Sequence, residues 1–310
     1  MFDTVNLRLQ SGVVGVDFLA DTPRFLEEVG EHIYGNDVVI TGRLGGLKVS
    51  LNSYRVKIGE GSLCKWYLGD NYNTMGRGDT QRAFEKLSDT LHLPIDKAVV
   101  TRMDIAQNFI CKYPVEVYLN HLGVLKYAKR LVEPTGLYYV LNGGRLCFYD
   151  KNKESRGKGE PIPDLFKERN VLRYEQRYTK RISKQLKMYE VLGCDLYSEQ
   201  VYTELLKLWK QAYFSINKIN DVILNFECVK TKTDLYKMGV LALMEQMGGQ
   251  TQMLQFVSEA QKKGDLTSKQ AYDIRKVFNE ASKVKGELVV KNDAIEELDR
   301  CVREAVRFYR

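Results

Sequence analysis

Apolar and polar residues alternate in short runs along the first 180 positions, which is the period of a half-buried β-strand. The alternation predicts strands over 3–9, 12–19, 37–42, 46–52, 54–59, 62–68, 98–110, 136–142, 145–151 and 171–178. Gly42, Gly45-Gly46, Gly59-Glu60-Gly61 and Gly143-Gly144 punctuate them as turns. Helical spacing interrupts the strands at 22–33, opened by Thr22-Pro23, at 79–92, capped by Asp79, and at 114–130. Beyond residue 178 the period changes to that of helices and does not return to strand. A basic helix is expected over 177–189, then helices over 197–218, 232–247, 251–263, 267–283 and 293–308. The fold class that follows is α+β: an antiparallel-sheet domain over 1–198 and an all-helical domain over 199–310.

Three of the strands carry chemistry. Residues 101–109 read Thr-Arg-Met-Asp-Ile-Ala-Gln-Asn-Phe, 145–151 read Arg-Leu-Cys-Phe-Tyr-Asp-Lys, and 172–178 read Leu-Arg-Tyr-Glu-Gln-Arg-Tyr. Successive side chains point to opposite faces of a strand. Arg102 and Asp104 therefore share a face, as do Arg145, Tyr149 and Lys151, and as do Arg173, Glu175 and Arg177. If the strands share a sheet, one face is core and the other collects two carboxylates, a tyrosine, a lysine and several arginines on an exposed surface. That set suits metal-assisted phosphodiester transfer to a tyrosine nucleophile. A free phenol ionises near pH ~10, so Tyr149 needs help, and Lys151 supplies positive charge. Asp104 and Glu175 are the expected ligands of a divalent cation. Asp150 is a further ligand if a bulge turns it inward.

Composition narrows the partners. Hydrophobic residues make up 44% of the chain and charged residues 28%, as in a globular protein and not a disordered one. No stretch approaches the roughly 18–20 apolar residues that span a bilayer, and the first residues lack a signal-peptide layout. The expected location is therefore the cytoplasm. Six dispersed cysteines form no Cys-x-x-Cys pair, and only three histidines occur. A metal would thus be held by carboxylate oxygens, which favours Mg²⁺ or Mn²⁺. The net charge is +7, and 151–190 holds twelve Lys and Arg against six Asp and Glu. Such a local basic field suits a phosphate backbone. Arg102, Arg145, Lys153, Arg173, Arg177, Lys180, Arg181 and Lys184 are the expected nucleic-acid contacts, with Trp66 or Tyr67 available to stack bases. The plainer alternatives are a solvated helix face and ordinary ion pairs on a sheet. The helices 251–263 and 267–283, joined by Gly264-Asp265-Leu266, form either a helical hairpin or a helix-turn-helix presenting Lys269, Arg275 and Lys276.

The three motifs, in this order and spacing, resemble the phage and plasmid replication initiators of the gene II/X family, which are rolling-circle Rep endonucleases. The segments Phe2-Asp3-Thr4-Val5-Asn6-Leu7 and Gly61-Ser62-Leu63-Cys64-Lys65-Trp66-Tyr67-Leu68-Gly69-Asp70-Asn71 extend the likeness over roughly residues 1–200. The resemblance implies a Rep nuclease-like sheet domain in which Tyr149 forms a covalent 5′-phosphotyrosine with origin DNA. Asp104 and Glu175, helped by Asp150, would then be metal-associated acids, and Lys151 a supporting base. The paired histidines of the wider Rep class are missing. Origin DNA, single-stranded or supercoiled, would be the substrate in a bacterial host cell. A host helicase and polymerase would be partners, and the second strand-transfer step would use either the same tyrosine from two subunits or a second tyrosine. Two rivals stand beside this reading: an origin-binding or repressor protein without catalysis, and a relaxase or transposase with the same tyrosine chemistry.

Overall fold

The structure, a computed structural model, describes residues 1–14, 18–35 and 37–309. By contact the chain divides into two compact units. One comprises 1–110, 128–212 and 302–310, and the other comprises 111–127 and 213–301. The expected single boundary at 198/199 is thus replaced by interleaved segments.

In chain order the strands are β1 (Phe2–Gln10), β2 (Glu27–Tyr34), β3 (Asp37–Leu44), β4 (Leu47–Asn52), β5 (Arg55–Gly59), β6 (Val99–Cys111), β7 (Leu122–Leu125), β8 (Lys129–Glu133), β9 (Gly136–Leu141), β10 (Gly144–Asp150) and β11 (Asn170–Tyr178). Ten of them form one sheet in the order β2-β3-β4-β5-β1-β6-β11-β10-β9-β8. The three chemistry-bearing strands β6, β11 and β10 are consecutive in it. The fold class is α+β with a large antiparallel sheet, as the alternation predicts.

The apolar face of the central strands is a core of stacked rings. Phe148 lies flat on Tyr174 with ring centroids 4.5 Å apart, and Tyr174 stacks on Trp209 at 4.6 Å. Trp209 sits on the helix Glu199–Phe214, whose Leu205, Leu206 and Trp209 are all buried. The helix Arg77–Leu91 buries Phe84, Leu87 and Leu91. Its N-cap is Gly76, and Asp79 serves from inside the first turn, accepting a bond from the Gly76 N–H at 2.9 Å.

Several local expectations change. Thr22-Pro23 opens only a 3-10 turn (Thr22–Phe25), and 27–34 is the edge strand β2. The predicted strand 12–19 begins as a helical turn at Ser11–Val14, and its residues 15–17 lie outside the described residues. Residues 62–68 are helix, not strand: the Ser62 hydroxyl accepts from the Lys65 N–H, and Gly69 closes the turn at φ 90°. The predicted helix 114–130 stops at His121 and continues as strand. The basic helix 177–189 shrinks to Ile182–Leu186, because Tyr178 still belongs to β11.

In the second unit, β7 pairs with β12 (Ile216–Lys218), and β13 (Asp221–Val222) pairs with β14 (Val289–Val290), so strand does recur after residue 178. The helices Lys232–Gln246, Gln250–Lys263 and Ser268–Ser282 enclose Leu241, Met244, Val257, Ala271 and Phe278. Thr267 and Gln270 form the expected capping box. Arg275 donates to Ser258 and Gln261 on the preceding helix, so it braces a hairpin. Among the described residues no helix is long and apolar enough to cross a membrane.

Candidate functional site

The polar face of β6, β11 and β10 gathers the expected side chains, but buries most of them. Glu175 stands opposite Cys147 and Tyr149 opposite Arg173 in the β10–β11 register. The Tyr149 hydroxyl reaches diagonally to Glu175 Oε1, donating at 2.6 Å. Arg173 Nε donates to the same oxygen at 2.6 Å, and Arg177 Nε and Nη2 hold Oε2 at 2.8 and 2.6 Å. On β6, Arg102 grips Asp104 through both Nε (3.1 Å) and Nη2 (2.6 Å). Arg177 Nε stands 3.8 Å from Asp104 Oδ2 and so links the two carboxylates.

Residues from other segments complete the ring. Asp3 on β1 pairs with Arg173 Nη2 at 2.9 Å and accepts from the hydroxyl of Ser62 at 2.5 Å and the amide of Asn71 at 3.3 Å. Arg173 Nη1 donates to the Asn71 carbonyl (2.9 Å) and to Asn108 Oδ1 (3.2 Å). Asp3, Ser62, Asn71, Arg102, Asp104, Tyr149, Glu175 and Arg177 line a cleft of about 390 Å³, whose walls add Lys65, Glu154 and Lys158, while Arg173 lies buried behind it. Tyr149 is 7% exposed, so the phenol lies in a recess of this cleft, not on the open surface expected. The segments carrying Ser62, Asn71 and Glu154 fold over a face that alternation alone leaves bare.

Burial and pairing set the protonation states. Burial, seconded by the Glu175 carboxylate, holds the Tyr149 phenol well above its usual range. Burial by itself would raise Glu175, but Arg173 and Arg177 outweigh it and hold the carboxyl at about 2. Asp104 moves the other way: its burial dominates Arg102 and Arg177, and its pKa rises. The resting site is therefore a neutral phenol donating to an ionised glutamate.

The remaining expected residues fall elsewhere. Asp150 ends β10 and caps the helix Lys151–Gly157, accepting from the Lys153 N–H at 2.9 Å, so it is no ligand on the Tyr149 face. The chain turns helical there, and strict alternation ceases to apply to Lys151. Its ammonium is buried, meets Glu154 at 2.6 Å and lies over the Tyr72 ring, and burial lowers its pKa. Arg173, fully buried and committed to Asp3 and Glu175, reaches no phosphate. Arg145, Lys153, Lys180, Arg181 and Lys184 are exposed and line none of this cleft, whereas Arg102 and Arg177 do line it. Trp66 is half-buried beneath Lys86. Asp3, Ser62 and Asn71 were not expected in the site, although all three lie in segments that carry the family likeness.

As placed, these residues do not fit a divalent cation. Among the described residues no group of three or more His, Cys, Asp or Glu is arranged to hold one. Each carboxylate of the cleft floor is neutralised by a guanidinium: Asp104 by Arg102, Glu175 by Arg173 and Arg177, and Asp3 by Arg173. An entering ion would have to displace those partners and bear the cost of stranding them.

Residues 1–211 match the family model Phage_CRI, which describes the N-terminal region of a phage replication-associated protein. No curated protein matches the chain.

Proposed function

The chain belongs to this phage replication-associated family, and we propose that it initiates rolling-circle replication by nicking one strand of origin DNA with Tyr149. The carrying observation is the 2.6 Å hydrogen bond from the Tyr149 phenol to Glu175 in a cleft lined by Arg102 and Arg177. These two guanidiniums keep partial solvent access, with side chains 35% and 28% exposed. In this reading they receive the scissile phosphate and share its charge with the carboxylates.

Proton transfer is gated by that sharing. With Arg177 wholly on Glu175, a carboxyl ionising at about 2 is a poor acceptor for a phenolic proton. When Arg177 turns towards a phosphate, Glu175 loses part of its counter-charge and its basicity rises towards that of the phenol. Tyr149 then passes its proton to Glu175 Oε1 and its oxygen attacks phosphorus in line. A P–O bond to tyrosine forms as the P–O3′ bond breaks. The departing 3′-oxyanion takes up a proton from solvent water and becomes a free 3′-hydroxyl that a polymerase can extend, and Glu175 later returns its proton to solvent. The ester bond is conserved as a 5′-phosphotyrosine, so rejoining needs no nucleotide triphosphate. Consistently, the sequence holds no Gly-x-x-x-x-Gly-Lys-Ser/Thr motif.

Incubation with a labelled single-stranded origin oligonucleotide and Mg²⁺ or Mn²⁺, read on a denaturing gel, tests this. A DNA-shifted protein band is expected from the wild type and absent from Tyr149→Phe. A band that persists in the variant assigns the nucleophile to another tyrosine. No band from the wild type favours the rival, origin binding without cleavage, a reading supported by the burial and neutral resting state of Tyr149.

A further inference from the structure

The other half of the same sheet carries a second polar face that none of this chemistry uses. A groove of about 560 Å³ runs over β1, β5, β4, β3 and β2. Strand register aligns one row across it: Arg8 opposite Lys57, Lys57 opposite Ser50, Ser50 opposite Thr41, and Thr41 opposite Gly30. Gly30 has no side chain, so the row ends open at β2. Like charges directly opposite one another destabilise a sheet pair, yet Arg8 and Lys57 face each other. Among the described residues neither they nor Arg55 meets a carboxylate, and Lys48, the remaining cation of the groove, is paired with Glu60 at 3.0 Å. Two polar atoms at the groove floor, Arg8 Nε and Asn6 Oδ1, are buried without a hydrogen-bond partner. Three cations without carboxylate partners on one face make a surface of positive potential that suits a polyanion.

The groove joins the cleft. Glu60 lines both, and Asn6 of the groove stands opposite Arg102 of the cleft across β1 and β6. At its far end Tyr34, 68% exposed, and His32 stand on the edge strand. We infer that this face is a track for single-stranded DNA. Phosphates of the strand leaving the cleft lie on Arg8, Lys57 and Arg55, a base stacks on Tyr34, and Ser50 and Thr41 are short enough to let the strand lie flat. Naming the strand as the one nicked rests on the function proposed above. The binding does not.

Fluorescence anisotropy of a labelled oligothymidylate against the full chain, over a range of salt, measures the track. Each phosphate contact with a single strand contributes about 0.7 to the slope of log K against log salt. Arg8→Gln/Lys57→Gln should flatten that slope by about 1.4, and Arg55→Gln, at an exposed position, by about 0.7. Lys262→Gln/Lys263→Gln, in the other unit, lowers net charge equally and should leave the slope unchanged. Thermal melts confirm that each variant is folded. A wild-type slope in both groove variants overturns the inference, as does equal loss in the Lys262/Lys263 control or a loss seen with duplex and not with the single strand. A wild type that binds through this face but forms no covalent adduct overturns the nicking proposal alone.

Discussion

The two halves of the ten-stranded sheet treat charge in opposite ways. Around β6, β11 and β10, three carboxylates, one of them Asp3 reaching over from the neighbouring β1, and three guanidiniums are matched almost one for one and largely withdrawn from water. On β1 and β5, Arg8, Arg55 and Lys57 lack a carboxylate partner among the described residues, while Lys48 on β4 and Arg43 on β3 are paired with Glu60 and Glu28. A matched buried cluster fixes geometry, because every displaced member strands another in low dielectric. An open unmatched row fixes nothing, but attracts polyanions through a field that salt screens. Under the two proposals made above, one half would position a phosphate and the other would hold a strand.

The largest effect expected on the matched half is chemical. Tyr149→Phe removes a single oxygen and should abolish covalent adduct formation entirely, while the lost bond to an ionised carboxylate costs about 1.5–3 kcal/mol of stability. Urea denaturation beside the adduct gel separates the two. An adduct-free variant with an intact fold sharpens the contrast between halves, whereas a globally unfolded one removes it.

Next comes the keystone of the cluster. Arg173 pairs with both Asp3 and Glu175, and its removal leaves two buried carboxylates short of a counterion. Arg173→Met should cost about 3–5 kcal/mol, read as a lower urea midpoint at unchanged m-value. The exposed Arg55→Gln on the open half should change stability by no more than about 0.5 kcal/mol. Equal costs at the two positions would break the comparison.

Acid provides a third, somewhat smaller lever. Glu175 ionises at about 2 in the folded protein, against an ordinary 4.5. Its folded pKa lies below the unfolded one, so its stabilisation is complete above about pH 4.5 and is lost as pH falls towards 2. The difference is worth roughly 3 kcal/mol. Urea midpoints measured across that window should fall for the wild type and stay flatter for Glu175→Gln. Asp104, raised by burial, takes up its proton earlier in the same descent and loosens Arg102 first. A wild-type profile that stays level from pH 4.5 down to 2 would mean that Glu175 is not held by its arginines.

How much of this was legible in the sequence follows from how local each signal is. Period-two alternation located β6, β10 and β11, because one face of each is packed against rings such as Phe148 and Tyr174. The same rule failed at β2, whose positions are almost all exposed, leaving no apolar face to read and letting Thr22-Pro23 suggest a helix. It failed again at Lys151, one residue past the point where Asp150 caps a helix. The Ser62 cap and Gly69 stop of the helix Leu63–Leu68 were visible but were outweighed by an apolar run. The partners that bury the site carried no local signal at all. Ser62 and Asn71 meet Asp3 across 59 and 68 residues of chain, and Arg173 meets the Asn71 carbonyl across 102. Alternation could put Tyr149 on the right face, but only tertiary structure could roof that face.

The smallest effect expected concerns the cation anticipated from the acidic residues. A ligand at a hundred times its dissociation constant adds about 2.7 kcal/mol to stability, which a thermal melt registers as several degrees. Neither Mn²⁺ nor Mg²⁺ should produce such a shift on the protein alone, because Asp104 and Glu175 already spend their oxygens on Arg102, Arg173, Arg177 and the Tyr149 hydroxyl. A DNA phosphate competes for the two half-buried guanidiniums, Arg102 and Arg177, and each one that turns to it frees carboxylate oxygen. The melt is therefore expected to respond to Mn²⁺ only with an oligonucleotide present, and Asp104→Asn should remove that response. A full shift on the DNA-free protein, itself lost in Asp104→Asn, would show that the guanidiniums yield to an ion unaided, and the matched half of the sheet would then be no more fixed than the open one.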